Sequence, residues 1–345
     1  MRTHESYMYR CIELARRGAG WVAPNPLVGS VLVHEDRIIG EGWHEKYGDP
    51  HAEVNCLASV AESDRHLIPH ATLYVSLEPC AHFGKTPPCS RLIVEHKIPR
   101  VVIGCRDPFP DVNGKGMEQL QAAGVEVLAP VLEAECQELN RRFFTWVEQK
   151  RPYVILKWAQ TSDGFMGSGT TERLIISSNN TKQRVHRWRS EEAAILIGTR
   201  TALYDNPQLT NRCWNGPEPV RVVLDKQLMI PPTHNVFDDT AKTVILNEVR
   251  SDGSGQPRYV QMPISFSVSD ILSALYELQL QSVLVEGGAA VLHQFLQLGL
   301  WDEVRIIESK TKAAGSGLKA PVLQNRNPVL EETSGEDVIR YYRNN

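Results

Sequence analysis

No stretch of the sequence approaches the ~18 uncharged apolar residues of a membrane helix. The opening residues, Met1 to Arg10, hold no apolar run that would serve as a signal peptide. These absences lead us to expect a cytoplasmic protein without a membrane partner. Positive charge is not in surplus either: Lys+Arg number 37 against 41 Asp+Glu, a formal net charge of −4. That argues against attachment to nucleic acid mainly by charge, a local basic patch apart, so no nucleic-acid partner is expected. Cysteine is scarce and odd in number, at seven. Without an export signal the cysteines read as reduced thiols, unless a metal claims some of them. Internal repeats and low-complexity tracts are also missing. What remains is 42% hydrophobic and 23% charged residues, the balance of a soluble globular protein. At 345 residues the chain is too long for one ordinary core and suits two domains of roughly 100–200 residues.

Periodicity divides the chain into alternating helices and strands. Tyr7, Met8, Cys11, Ile12 and Ala15 follow a helical spacing over 4–17, stopped by Gly18 and Gly20. Ser30–Val33 and Arg37–Glu41 read as a hairpin. A helix over about 52–61, a strand over 71–77, a helix over 90–95 and a strand over 100–104 follow. Next come a helix over 116–123, a strand over 125–128 and one closing helix over 133–147. The charged stretch 148–152 marks a boundary between domains at 1–147 and 151–345. Beyond it, strands are expected at 153–159, 193–198, 220–225, 243–247 and 282–286. Helices are expected to end at 186–191 and to fall near 269–279 and 290–298, with a surface turn at 251–257. Both halves are therefore α/β.

The strongest chemical signal is His51-Ala52-Glu53, then Glu78-Pro79-Cys80, then Cys89. Zinc takes imidazole and thiolate ligands, and catalytic sites leave a fourth position for water. His51, Cys80 and Cys89 supply such a set for one zinc per chain, which would draw the pKa of its water toward ~7. At a helix start, where the first residue is not yet helical, His51 and Glu53 would converge on one pocket. Cys80 follows Pro79 and is expected to open a helix, where partial positive charge favours thiolate. The pattern matches the H-x-E…P-C-x-x-C signature of zinc nucleobase deaminases in its first half, with Glu as proton shuttle. It departs in the second, where eight residues, Ala81 to Pro88, separate the cysteines. Two ordinary cysteines and a surface histidine are the competing reading, disfavoured by the ordered set. Gly18-Ala19-Gly20-Trp21-Val22-Ala23 also fits a dinucleotide fingerprint, but a helix precedes it and Pro24-Asn25-Pro26 forbids one after it, so it is rejected.

The wider cysteine spacing, in Pro79-Cys80-Ala81-His82-Phe83-Gly84-Lys85-Thr86-Pro87-Pro88-Cys89, closely resembles that of the bifunctional riboflavin-biosynthesis deaminase/reductases. Ala23-Pro24-Asn25-Pro26-Leu27-Val28-Gly29 and Gly40-Glu41-Gly42-Trp43-His44 resemble the same family. The likeness covers essentially the whole chain. It implies deamination of a 2,5-diamino-6-ribosylamino-pyrimidinone 5′-phosphate, with Glu53 catalytic and Asn25, His44, His82 and Lys85 at substrate positions. Asn offers both donor and acceptor to a pyrimidine edge, and a loop Lys suits phosphate. Asp107 and Asn113 are weaker candidates for the same pocket.

The second half offers Val283-Leu284-Val285-Glu286-Gly287-Gly288-Ala289-Ala290, a strand running through glycines into a helix, where backbone N–H groups can approach phosphate. Lys157-Trp158-Ala159, Asp163-Gly164, the run Ile197 to Arg212 and Arg221 to Asp225 resemble the family's reductase. The implied fold is a cytidine-deaminase-like αβα sandwich followed by a dihydrofolate-reductase-like α/β domain. The implied reaction is reduction of ribosyl to ribityl with NADPH. The resemblance puts Ala159, Ile175, Thr201, Asp205, Gly288, Ala289 and Ala290 at cofactor positions, and Arg189, Leu209, Arg212 and Glu286 at substrate positions. Arg189 and Arg212 suit phosphate through bidentate geometry. Lys157 either polarises the ribose carbonyl or anchors the substrate. Ile175-Ile176-Ser177 stands where the family often has Trp-Ile-Thr, and Arg173 where a small polar contact is common. The partners expected are small phosphorylated pyrimidines, and a homo-oligomer is left open. Two other readings are a deaminase with a degenerate second half and an RNA-directed deaminase, the latter opposed by the charge balance.

Overall fold

The computed structural model describes residues 3–81, 87–168, 174–252, 255–324 and 326–344. The chain divides into two compact units, Met1–Gln149 and Lys150–Asn345. No described helix is long and apolar enough to cross a membrane.

The first unit opens with α1 (His4–Ala15), capped by the Thr3 side chain, which accepts from the Ser6 amide. Strands β1 (Gly29–His34) and β2 (Arg37–Trp43) form the expected hairpin. Glu35 and Asp36, both at positive φ, make its two-residue turn. Then come α2 (Ala52–Ala58), β3 (Thr72–Leu77), α3 (Cys89–Glu95), β4 (Arg100–Cys105), α4 (Lys115–Ala122) and β5 (Glu126–Leu128). The sheet order is β2-β1-β3-β4-β5, antiparallel through β3 and parallel beyond it. Alternate strand residues feed two cores. Leu32, Leu73, Val75 and Ile103 pack with Cys56, Ile93 and Leu120 of α2–α4. Val31, Val33, Tyr74 and Val102 pack with Met8, Cys11 and Cys136 on the other face. Both faces are thus covered, as period-two alternation between two apolar layers requires.

One expectation is corrected here. The closing helix is two, α5 (Glu133–Leu139) and α6 (Arg141–Gln149). The break falls at Asn140, whose buried amide accepts from the Leu27 N–H and donates to the Leu27 carbonyl, both at 2.8 Å. A long-range pairing with backbone thus interrupts a locally continuous helical pattern.

The second unit runs β6 (Tyr153–Gln160), β7 (Phe165–Gly167), α7 (Asn179–Glu191), β8 (Ala194–Gly198), α8 (Thr199–Asp205), β9 (Val220–Leu224), β10 (Thr243–Asn247) and β11 (Arg258–Gln261). It continues through α9 (Val268–Glu277), β12 (Ser282–Val285), α10 (Ala289–Leu298), β13 (Glu303–Ser309), β14 (Leu318–Lys319), β15 (Leu330–Ser334) and β16 (Asp337–Arg343). Nine strands form one sheet, β11-β10-β9-β8-β12-β6-β13-β16-β15, parallel as far as β13 and antiparallel at the β16–β15 end. Helices α9 and α10 pack on one face through Leu275, Leu292 and Phe295. On the other face lie Val185 and Trp188 of α7 and Ala202 of α8. The carboxyl ends of the neighbouring strands β8, β12 and β6 converge, which is where ligands bind in sheets of this kind.

Candidate active sites

His51 is the N-cap of α2, still extended at φ −71° and ψ 167°, while Ala52 is already helical. That change of conformation lets His51 and Glu53 face one pocket, as the sequence implies. Cys89 is the first residue of α3, directly after Pro88. Cys80 lies in the loop leaving β3 and opens no helix, which corrects the expectation for it. Its acidity has another source. Hydrogen bonding with the Cys89 thiol, helped by His51 and the Cys89 amide, outweighs burial and holds the Cys80 thiol down to about 4. The same contact with Cys80 pushes the His51 imidazole up to about 9, and the neighbouring Cys80 together with burial raises the Cys89 thiol.

His51 Nδ1 stands 3.6 Å from Cys80 Sγ and 3.4 Å from Cys89 Sγ. The three ligand atoms all lie within 4.8 Å of one another. Tetrahedral zinc with Zn–N of ~2.05 Å and Zn–S of ~2.3 Å requires nitrogen–sulphur separations of about 3.6 Å. The donor set therefore fits zinc in both chemistry and spacing. Beside it Glu53 is only 3% exposed, and burial raises its carboxyl despite the nearby His51.

Two predicted substrate residues meet at the same pocket. His44 Nδ1 is 3.1 Å from the Pro50 carbonyl and Nε2 is 3.0 Å from Asn25 Nδ2. A carbonyl only accepts, so Nδ1 carries the proton and Nε2 accepts from the Asn25 amide. That choice fixes the orientation of the Asn25 amide. Burial lowers the His44 pKa, in keeping with a neutral ring. The His44 ring sits edge-on to His51, with centroids 5.5 Å apart. Asp107 is buried, and that burial pushes its carboxyl up to about 7; Asn113 is exposed and its carbonyl accepts from Arg106. His82 and Lys85 lie outside the described residues, as does Arg173.

In the second unit Lys157 of β6, Glu286 after β12 and Arg189 of α7 come together. Arg189 donates to both Glu286 oxygens at 2.9 Å and to the Thr210 carbonyl at 3.2 Å. Lys157 Nζ is 3.6 Å from the same carboxylate. Burial alone would raise Glu286, but the Arg189 and Lys157 charges prevail and hold it down to about 2. Arg189 is thus no loose surface cation, and much of its fork is committed to Glu286. Arg212 is exposed, and Leu209 is buried beside Thr210 at positive φ. His186, one turn before Arg189, was not among the expected residues. Burial and the Arg189 and Arg212 charges hold it down to about 4; its i−3 spacing from Arg189 is the signal that would have found it.

The glycine turn after β12 packs closely against β8 and α8. A Cβ on Gly287 would lie 2.4 Å from Ile197 Cα, and one on Gly288 (φ +28°) 2.8 Å from Thr201 Oγ1. Thr201 and the 288–290 turn are therefore neighbours at two helix starts, where backbone N–H groups are available to an anion such as phosphate. Ala159 is half-buried near the end of β6, and Asp205 is exposed at the end of α8. Ile175 is 71% exposed, and its carbonyl accepts from Lys312 Nζ at 2.8 Å.

Known proteins resemble both halves of the chain. Residues 1–105 match the cytidine and deoxycytidylate deaminase zinc-binding region, and residues 152–309 match the RibD C-terminal domain. The riboflavin biosynthesis protein RibD of Aquifex aeolicus is 38% identical, covering 98% of each chain. That of Actinobacillus pleuropneumoniae is 39% identical over 99% of this chain and 95% of its own. A solved diaminohydroxyphosphoribosylaminopyrimidine deaminase/5-amino-6-(5-phosphoribosylamino)uracil reductase from Thermotoga maritima superimposes with a TM-score of 0.90, at 40% identity, over 99% of this chain and 98% of its own. With a deaminase zinc region and a reductase domain on one polypeptide, this chain belongs to the RibD family, the bifunctional deaminase/reductases of riboflavin biosynthesis.

Proposed function

We propose that residues 1–147 deaminate 2,5-diamino-6-ribosylamino-4(3H)-pyrimidinone 5′-phosphate, and that residues 151–345 then reduce the ribosyl group of the product to ribityl with NADPH. The observation that carries the first half is the pair of nitrogen–sulphur distances, 3.6 and 3.4 Å, about the spacing of a tetrahedral zinc site. His51, Cys80 and Cys89 hold the metal, which when bound supplies a Lewis acid that makes water acidic near neutral pH. Glu53 takes a proton from the attacking water and returns it to the amine, so the ring carbon exchanges nitrogen for oxygen and ammonia leaves. Asn25, oriented by His44, reads the pyrimidine edge. His82 and Lys85 complete the substrate contacts by resemblance.

In the second half, Thr201, Asp205, Ala159, Ile175 and Gly288 to Ala290 hold NADPH, which supplies hydride when bound. Glu286 orients the substrate with Leu209, and Arg212 takes the phosphate. Because Arg189 is largely spent on Glu286, its part is to fix that carboxylate as much as to meet phosphate. Lys157, against Glu286, serves the ribose either as an electrophile toward the carbonyl or as an anchor. The partners are small phosphorylated pyrimidines, the compartment is the cytoplasm, and a homo-oligomer is compatible with this scheme.

The test supplies pre-deaminated intermediate to the Glu53→Gln variant. Ammonia release from the diamino substrate should fall by ~10²–10⁴-fold while NADPH oxidation continues. A parallel fall in both activities would remove the two-site reading, and normal ammonia release without NADPH oxidation would favour a deaminase with a degenerate second half.

A further inference from the structure

In a C-x-x-C site one turn of backbone fixes the distance between two thiolates. Here eight residues separate Cys80 from Cys89, so that single-turn restraint is gone. The two segments meet directly, the Ser90 N–H donating to the Cys80 carbonyl and the Cys89 N–H to Cys80 Sγ, both at 3.2 Å. They are tied from outside as well. Helix α4 meets both cysteine segments. Ser90, next to Cys89, donates its hydroxyl to Gln119 Oε1 at 2.7 Å. The same Gln119 donates from Nε2 to the carbonyl of Ala81, next to Cys80, at 3.2 Å. A carbonyl accepts only, so the amide has one sensible orientation and spans the two segments.

The second tie comes from Glu78, two residues before Cys80 and 3% exposed. Oε1 accepts from the Gly116 and Met117 amides at 2.9 and 3.3 Å, and Oε2 from the Gly114 and Asp107 amides at 2.9 and 3.3 Å. The N-cap of α4 is Gly114, which has no side chain to offer its first-turn amides. Glu78 caps the helix from a distance instead. The seat is close enough that a Cβ on Gly116 would lie 2.0 Å from the Pro79 carbonyl oxygen.

We propose that helix α4, added to the direct bonds between the two segments, holds the gap between the two zinc cysteines, with Glu78 and Gln119 as its positioning residues. Both act through the ligands, never on the substrate. The proposal rests on His51, Cys80 and Cys89 being the ligands. A carboxylate that receives two N–H groups on each oxygen has no neutral substitute: in Glu78→Gln the amide NH₂ would face two donors whichever way it turns. Gln119 is exposed on its helix, so Gln119→Ala removes the bridge at little risk to folding.

The test uses the full chain, loaded with zinc for chelator competition and with cobalt(II) for the thiolate-to-metal absorption band. Gln119→Ala and Glu78→Gln should weaken zinc binding by ~10- to 100-fold and shift the cobalt band. Gln121→Ala, on the same helix, should do neither, and NADPH oxidation should be unchanged in all three. Zinc retention and a cobalt spectrum equal to the unaltered protein in Gln119→Ala would overturn the clamp. Cys80→Ala separates the two levels: if it too keeps stoichiometric zinc, the ligand assignment itself falls and the clamp with it.

Discussion

A carboxyl buried two residues from a metal-seeking imidazole is costly unless it works there. At Glu53 burial raises the carboxyl, which suits a group that must both accept and return a proton. Glu53→Gln keeps the shape and removes the proton carrier, so ammonia release should fall by ~10²–10⁴-fold. Zinc content should be unchanged by metal analysis. Glu286 gives the residue-scale prediction for pH. Its folded value of about 2 lies below the ordinary 4.5, so its pairing with Arg189 and Lys157 stabilises fully above pH 4.5. The contribution is lost as pH falls toward 2. Urea unfolding of the second unit should therefore lose stability across that interval. Glu286→Gln should be less stable at neutral pH and should converge with the unaltered chain in acid. Parallel curves would show that the pairing contributes nothing.

Asn140 shows where an element's limits are decided by the tertiary fold. The apolar spacing of 133–147 is that of one helix, and only the pairing of the Asn140 amide with Leu27, 113 residues away, divides it. That pairing also secures the segment carrying Asn25. Asn140→Ala should destabilise the first unit by about 2 kcal/mol and raise the KM for deamination more than it lowers kcat. An unchanged melting temperature would refute that link. The same contrast explains what could be read in advance. The helices 4–15, 52–58 and 268–277 carry regular apolar spacing, and the 29–43 hairpin follows period two. Strand β13 was missed because its buried face holds Glu303 and Arg305, paired at 2.6 Å. Strand β15 was missed because it is mostly exposed and polar. The His51, Cys80 and Cys89 cluster was legible because residue type and order carry the chemistry. The meeting of Arg189 with Glu286, 97 residues apart, is a product of sheet order. Cys80 was misplaced at a helix start because Pro79 and Pro88 each precede a cysteine, and only the fold shows which proline begins a helix.

At the scale of the whole molecule, each compact unit holds its own set of reactive groups: thiolates, imidazole and carboxyl in the first, a half-buried Lys–Glu–Arg group beside a glycine turn in the second. The two chemistries should therefore be separable by a reagent that acts on one set alone. The most direct measurement is zinc content and both activities in the same preparation, before and after chelation. The account predicts one zinc per chain, ammonia release lost on chelation and regained with zinc, and undiminished NADPH oxidation with pre-deaminated intermediate. Protein free of metal that still releases ammonia at full rate would contradict it.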